Sequence, residues 1–255
     1  METVVPRRRP FLGKIRTSIL KRREGVARRL GRVFGRGPVT RRYFGARFEL
    51  RPGELISDEI AINRFEWREL TMMLAACREF RPEVFVDVGA NVGLYSCIVG
   101  RAGAARGIVA FEPDAGNFDR LLGNLRLNGL TEAVEARPVA VGARVGVAVL
   151  AGGPPENSGL SRIDPDATNG REVPVVALDD VVTTSGGVIA VKIDVEGHEL
   201  DVLAGSAHLF RNNRGYAQIE AHGDERAAEV TAIMKSYGWH LIERYGLDMH
   251  FERRP

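Results

Sequence analysis

Four largely apolar runs in this sequence lead into acids. Val84-Phe85-Val86 leads into Asp87, Ile108 to Phe111 into Glu112, Val188 to Ile193 into Asp194, and Tyr216 to Ile219 into Glu220, with His222 two residues further on. A carboxylate can accept a proton from a hydroxyl, hydrogen-bond a ribose diol, balance an ammonium or ligate a hard cation, and its neighbours decide which. Around Asp194 the sequence Val195-Glu196-Gly197-His198-Glu199 crowds further acids and an imidazole. With Glu220 and His222, this supplies enough oxygens and nitrogens to bind a divalent cation or to deprotonate a hydroxyl. The spacing matches no diagnostic metal motif, so both uses stay open. Alternation puts Lys192 and Asp194 on one side of their strand. A buried lysine needs a carboxylate partner, and a structural ion pair is the plain reading of Lys192.

Asp87 opens a more specific pattern, VFVDVGANVGLYS over residues 84–96. A dinucleotide fingerprint is Gly-x-Gly-x-x-Gly; here the order is Asp87, Gly89, Asn91, Gly93. A carboxylate at the strand tip crowds a pyrophosphate but suits a cationic amino-acid moiety, which points to S-adenosylmethionine rather than NAD. Gly89 and Gly93 let the backbone turn and approach a ligand, and Asn91 tolerates the left-handed conformation. Glu112 follows Asp87 by 25 residues, near the spacing at which an acid binds a ribose diol.

The elements that must hold these residues alternate strand and helix, which builds a parallel sheet with covered faces. Strands are predicted at 84–88, 107–112, 134–141, 188–194 and 216–220, with helices after Gly93 and over 117–127, 198–210 and 225–237. Residues 43–56 read as extended, and one helix is expected from Ser57 to Phe80, stopped by Pro82. A closing hairpin is expected at 239–253 around Gly246-Leu247-Asp248. Residues 142–179 break the rhythm and read as an insertion, a hairpin and loop over the cofactor edge. This insertion and the first helix are expected to shape the acceptor pocket.

Length and composition suit one large domain with an appendage. Residues 1–42 carry 14 Lys or Arg against Glu2 and Glu24, a charge of +12; the whole chain is +3, so residues 43–255 sum to 3 − 12 = −9. The division is a basic arm, 1–42, and an acidic body, 43–255. Within the arm, residues 11–34 form a basic amphipathic pattern suited to an anionic membrane surface or to nucleic acid, interrupted by Gly13, Gly25 and Gly31. Cys77 and Cys97 fit neither a disulfide framework nor a metal spacing, and with no apolar run of 18 residues they indicate a cytoplasmic protein with a peripheral membrane contact at most.

The motifs together resemble the FkbM family of S-adenosylmethionine-dependent methyltransferases. The matching stretches are Val86 to Ser96, Ala110 to Asp114, Asn124 to Asn128, Leu178-Asp179-Asp180, Lys192 to Gly197, and Glu220-Ala221-His222. The resemblance implies an α/β class I methyltransferase fold, a Rossmann-like sheet of order 3-2-1-4-5-7-6 with its last strand antiparallel. It also implies methyl transfer to a hydroxyl of a sugar or polyketide-type natural product. Carried over by position, Asp87, Gly89, Asn91 and Gly93 surround the methionine part, Glu112 the ribose and Ala140 the adenine edge, while Asp194 faces the methyl group. Asp194, Glu220 and His222 are the expected catalytic groups. Two other readings compete. An NAD-linked oxidoreductase is opposed by the missing middle glycine and the acid before Gly89. A nucleic-acid methyltransferase gripping RNA through the arm is opposed by the acidic body.

Overall fold

The computed structural model describes residues 38–153, 161–164, 167 and 170–255. The amphipathic stretch 11–34 lies outside them. The chain opens with β1 (Val39–Tyr43) and β2 (Ala46–Leu50), an antiparallel hairpin turned at Phe44-Gly45. Residues 39–42, grouped with the arm by charge, thus form part of this hairpin.

Two helices follow where one was expected: α1 (Leu55–Ala61) and α2 (Trp67–Phe80). Asn63 and Glu66 between them adopt φ of 55° and 46°. Left-handed residues cannot continue a right-handed helix, so the chain turns there and presents Phe65 and Glu66 sideways. Ser57 lies inside α1 and accepts a hydrogen bond from the Arg51 amide; Glu54 is the residue that precedes the helix.

The body then runs β3 (Val84–Val88), α3 (Leu94–Arg101), β4 (Gly107–Phe111), α4 (Ala115–Asn128) and β5 (Val134–Arg137). The strand expected over 134–141 ends at Arg137, where Pro138 offers no amide to the ladder. Ala140 and Val141 instead form β6, which joins β7 (Gly146–Ala151), β8 (Arg162–Ile163) and β9 (Arg171–Val176) in a separate four-stranded sheet ordered β6-β9-β7-β8. After α5 (Leu178–Val181) come β10 (Val188–Ile193), α6 (Glu199–Ala204), α7 (Ala207–Asn212), β11 (Arg214–Glu220), α8 (Asp224–Ser236), β12 (His240–Tyr245) and β13 (Asp248–Arg253). The helix expected over 198–210 is thus two, divided at Gly205-Ser206.

The main sheet has seven strands ordered β12-β13-β11-β10-β3-β4-β5. β13 is antiparallel to both neighbours, and the pairs from β11 to β5 are parallel. This is the order 3-2-1-4-5-7-6 expected of a class I methyltransferase sheet. Phe85, Ala190 and Tyr216 pack on one face against α2, α3 and α4; Val86, Val191 and Ala217 pack on the other against α6, α7 and α8. Asn124 and Asn128 tie α4 to the hairpin: Asn124 accepts from the Glu49 amide at 3.0 Å, and Asn128 accepts from the Arg47 amide at 2.8 Å and donates to its carbonyl at 2.7 Å. No described helix is long and apolar enough to cross a membrane.

Candidate functional site

Parallel strands deliver their carboxyl ends to one edge of the sheet, and there β3 and β10 lie side by side with Lys192 in register with Asp87. Val84 to Val88 are all buried, as a central parallel strand of β-branched residues requires. At its tip Asp87, 1% exposed, accepts from the Ser96 amide (3.0 Å) and hydroxyl (2.6 Å) through Oδ2. This satisfies an orphan amide in the first turn of α3 at the positive end of its dipole. Asp87 Oδ1 is buried and has no donor. Burial raises the Asp87 pKa, opposed by Lys192 and Ser96.

The loop beyond is fixed from both sides. The Gly89 and Ala90 amides donate to the Phe111 carbonyl, and the Asp194 amide donates to the Val88 carbonyl. Gly89 has φ 78°, and a Cβ there would lie 1.8 Å from the Asp194 carbonyl oxygen. Asn91 is left-handed at φ 51°, and its amide donates at 2.8 Å to Glu112 Oε2. Glu112 Oε1 accepts from Asp114 at 2.7 Å. Burial pushes the Glu112 pKa up to about 7 despite these two bonds.

Two clefts open from this loop. The first is lined by Gly89, Asn91, Glu112 and Asn117 on the main sheet's edge, and by Ala140, Leu150 and Ile163 of the small sheet. The second, of about 260 Å³, has Leu55, Ile56, Phe65 and Glu66 on one wall. Asp87, Tyr95, Lys192, Asp194, Glu196 and Glu220 form the other side. Gly89, Asn91, Asp194 and Glu196 border both.

Charge is concentrated in the second cleft. Lys192, 4% exposed, donates to Asp194 Oδ2 at 2.8 Å and sits 4.8 Å from the centre of the Tyr95 ring. Burial alone would lower its pKa, but Asp194, Glu66 and Asp87 hold it above the ordinary lysine range. Burial would likewise raise Asp194, and the Lys192 ammonium reverses this and keeps it ionised. Glu220 is pushed up to about 10 by burial and by the Asp194 charge, so it keeps a proton that it shares with Asp194. Burial and Asp194 raise Glu196 to about 6, and burial raises Glu66 to about 7 against the pull of Lys192. Oxygens of Asp194, Glu196 and Glu220 come within 4.8 Å of one another.

Of the sequence-selected residues, Asp87, Gly89, Asn91, Glu112, Ala140, Asp194 and Glu220 line one or both clefts. Gly93 does not. It precedes α3 at φ 80°, and a Cβ there would meet Leu121 of α4 at 2.3 Å, so its smallness serves packing. His222 is half-exposed at the rim, its Nε2 3.6 Å from Glu196 and 3.7 Å from Glu220. His198 turns to the small sheet, with Nε2 2.8 Å from the Ile163 carbonyl. Glu199 is buried and accepts from the Gly197 amide, so it is not at the mouth. The described residues of the insertion line the first cleft and not the second, which takes Leu55, Ile56, Phe65 and Glu66 from the α1–α2 segment. Sequence reasoning missed Glu66 and Tyr95. The only local signal for Glu66 was an acid in a stretch read as continuous helix.

Comparison with known proteins gives the chemistry. The methyltransferase FkbM domain matches residues 87–241. The hexuronic acid methyltransferase AglP of Haloferax volcanii is 27% identical over 228 residues, 85% of this chain and 87% of its own. The crystal structure of methyltransferase FkbM from Methylobacillus flagellatus KT is 20% identical with a TM-score of 0.48, over 67% of this chain and 43% of that one, so this chain spans under half its length. TYW2 of M. jannaschii, solved in complex with AdoMet, is 15% identical with a TM-score of 0.43, over 85% of this chain and 87% of that one. The chain belongs to the FkbM family of S-adenosylmethionine-dependent methyltransferases.

Proposed function

We propose that this protein is an O-methyltransferase acting on a hydroxyl of a sugar or polyketide-type natural product, with Asp194 as the group that receives the acceptor's proton. The observation that carries this is the Lys192–Asp194–Glu220 cluster at the junction of the two clefts. The Haloferax relative, named for a hexuronic acid, supports a sugar acceptor.

The residues fit the cofactor. Asp87 Oδ1 and Asn91 Oδ1 are buried acceptors without donors, suited to an ammonium, and Gly89 and Asn91 bring the backbone close. Glu112 would accept from the ribose hydroxyls with the lone pairs that Asn91 and Asp114 leave free, and Ala140 would lie along the adenine edge. S-adenosylmethionine, when bound, supplies an activated sulfonium methyl: the acceptor oxygen gains the methyl, and sulfur keeps the electron pair of the broken bond. Asp194, ionised and fixed by Lys192, orients the hydroxyl and takes its proton as the new bond forms. Glu220, which holds a proton beside it, and His222 at the rim pass the charge change toward solvent. Asp194, Glu196 and Glu220 are the described acids close enough together to ligate a divalent cation, but the ammonium of Lys192 already sits on Asp194 and supplies positive charge there.

Two variants separate binding from chemistry. Asp194→Ala is expected to lower turnover at least 100-fold, on the order of a lost general base, with the S-adenosylmethionine Kd within a few-fold of wild type. Asp87→Ala is expected to abolish cofactor binding by calorimetry. Full turnover in Asp194→Ala would remove the role given to that residue.

A further inference from the structure

The second cleft is lined by acceptors. Glu66, Asp194 and Glu196 face it beside Asp87 at its cofactor end and the protonated Glu220, and the one cation among its described lining residues is Lys192, whose ammonium is already held by Asp194. No arginine is among its described lining residues, although the guanidinium fork is the usual partner for a carboxylate or phosphate. Glu66 Oε2 is buried and unpartnered among the described residues. Glu66 itself stands in the left-handed break between α1 and α2, with the Tyr95 hydroxyl turned to it and Gln218 donating to that hydroxyl at 3.0 Å. Glu196, which lines the same cleft, is also at positive φ, 52°. Leu55, Ile56 and Phe65 supply an apolar wall.

We propose that this cleft selects an uncharged polyol as methyl acceptor and rejects anionic ones, with Glu66 and Glu196 accepting hydrogen bonds from the hydroxyls that flank the reacting oxygen. This inference rests on the methyl-transfer reading above and adds the acceptor's charge class, in which this chain would differ from the Haloferax relative named for a hexuronic acid, and a specificity residue, Glu66. An acceptor carboxylate entering here would meet several carboxyl groups and, among the described residues, no free cation. It would lose its water without gaining a partner, which is costly in a recessed site. A hydroxyl brings the donor that Glu66 Oε2 lacks. The cleft measures about 260 Å³ and part of it, beside Asp87, Gly89 and Asn91, belongs to the cofactor, so the remainder admits one sugar ring rather than an extended glycan. The apolar wall suits the C–H face of such a ring.

The test uses the full chain. Calorimetry with S-adenosylmethionine comes first, and failure to bind there would sink the methyl-transfer reading itself. Methyl transfer is then measured to methyl pyranosides of glucose, galactose and mannose and to the matching methyl uronides of glucose and galactose, at neutral pH. The expected result is transfer to at least one neutral pyranoside at ten times or more the rate of any uronide, into a base-stable ether. In Glu66→Gln the KM for the neutral acceptor should rise, the S-adenosylmethionine Kd should stay unchanged, and the preference over uronides should narrow. Uronides used as well as neutral sugars, a base-labile methyl ester as product, or no transfer to any neutral pyranoside by protein that binds the cofactor would each overturn the proposal.

Discussion

Lys192 places a positive charge in the interior of the sheet, and the acids around it divide the compensating charge unequally. Asp194 stays ionised against the ammonium, and Glu220 next to it keeps its proton because a second carboxylate charge so close would be repelled. This bears on the three carboxylates that approach within 4.8 Å. A divalent cation there would have to strip the proton from Glu220 and compete with an ammonium already seated on Asp194. Lys192 therefore supplies the positive charge for which a metal would otherwise be recruited. Methyl transfer should persist within about twofold after exhaustive dialysis against EDTA; a loss restored by Mg²⁺ or Mn²⁺ would show that the acids are ligands. Asp87, Glu112 and Asp194 were legible as strand-end acids because residue type and position suffice to expose them. Glu66 was not, because its place in the site depends on two left-handed residues that no local pattern announces.

Register on the sheet creates what no single strand contains. Asp87 pairs with Lys192, Lys192 with Gln218, and Gln218 with His250, so one polar row crosses β3, β10, β11 and β13. Alternation showed that Lys192 shares a face with Asp194, but the row needs the pairings of four strands. The loop after β3 is equally an affair of two elements, since Gly89 is required by the Asp194 carbonyl against it as well as by its own φ. Gly89→Ala should therefore cost more than Gly129→Ala, where φ is 66° and the space is open. The first combines left-handed strain with a backbone clash, about 3 kcal/mol or more, against about 1 kcal/mol for strain alone. Urea denaturation of both variants measures the difference, and equal losses would show that the contact with Asp194 relaxes freely.

For the molecule as a whole, the buried histidine gives a pH signature. His250 is fully buried, its Nδ1 2.6 Å from the Tyr216 hydroxyl, and burial lowers its pKa to about 4. The unfolded chain protonates it near 6.5, so between pH 6.5 and 4 the unfolded state binds more protons and stability contributed by the neutral ring is lost as pH falls. Glu66 and Glu220, with raised pKa values, work in the opposite direction over part of that window. The His250 contribution is therefore read as a difference in slope: relative to His250→Gln, the wild type should lose about 3 kcal/mol between pH 6.5 and 4. Parallel stability-versus-pH curves for the two proteins would show that the ring is charged or hydrated in the fold.

The sequence by itself determined the alternation of strands and helices, the turn at Gly89 and Asn91, the acids at the strand ends and the family, because these rest on local residue type and on spacings within one element and its neighbour. Tertiary structure alone decided that Gly93 packs against Leu121, that β6, β7, β8 and β9 form a second sheet bordering the Glu112 cleft, and that the α1–α2 break brings Glu66 into the cleft that Glu196 also lines. Each of these depends on atoms brought together from distant parts of the chain, and burial then sets the protonation of the acids that meet there. A carboxylate's position can be read from its place in a strand; whether it holds a proton depends on what the fold puts beside it.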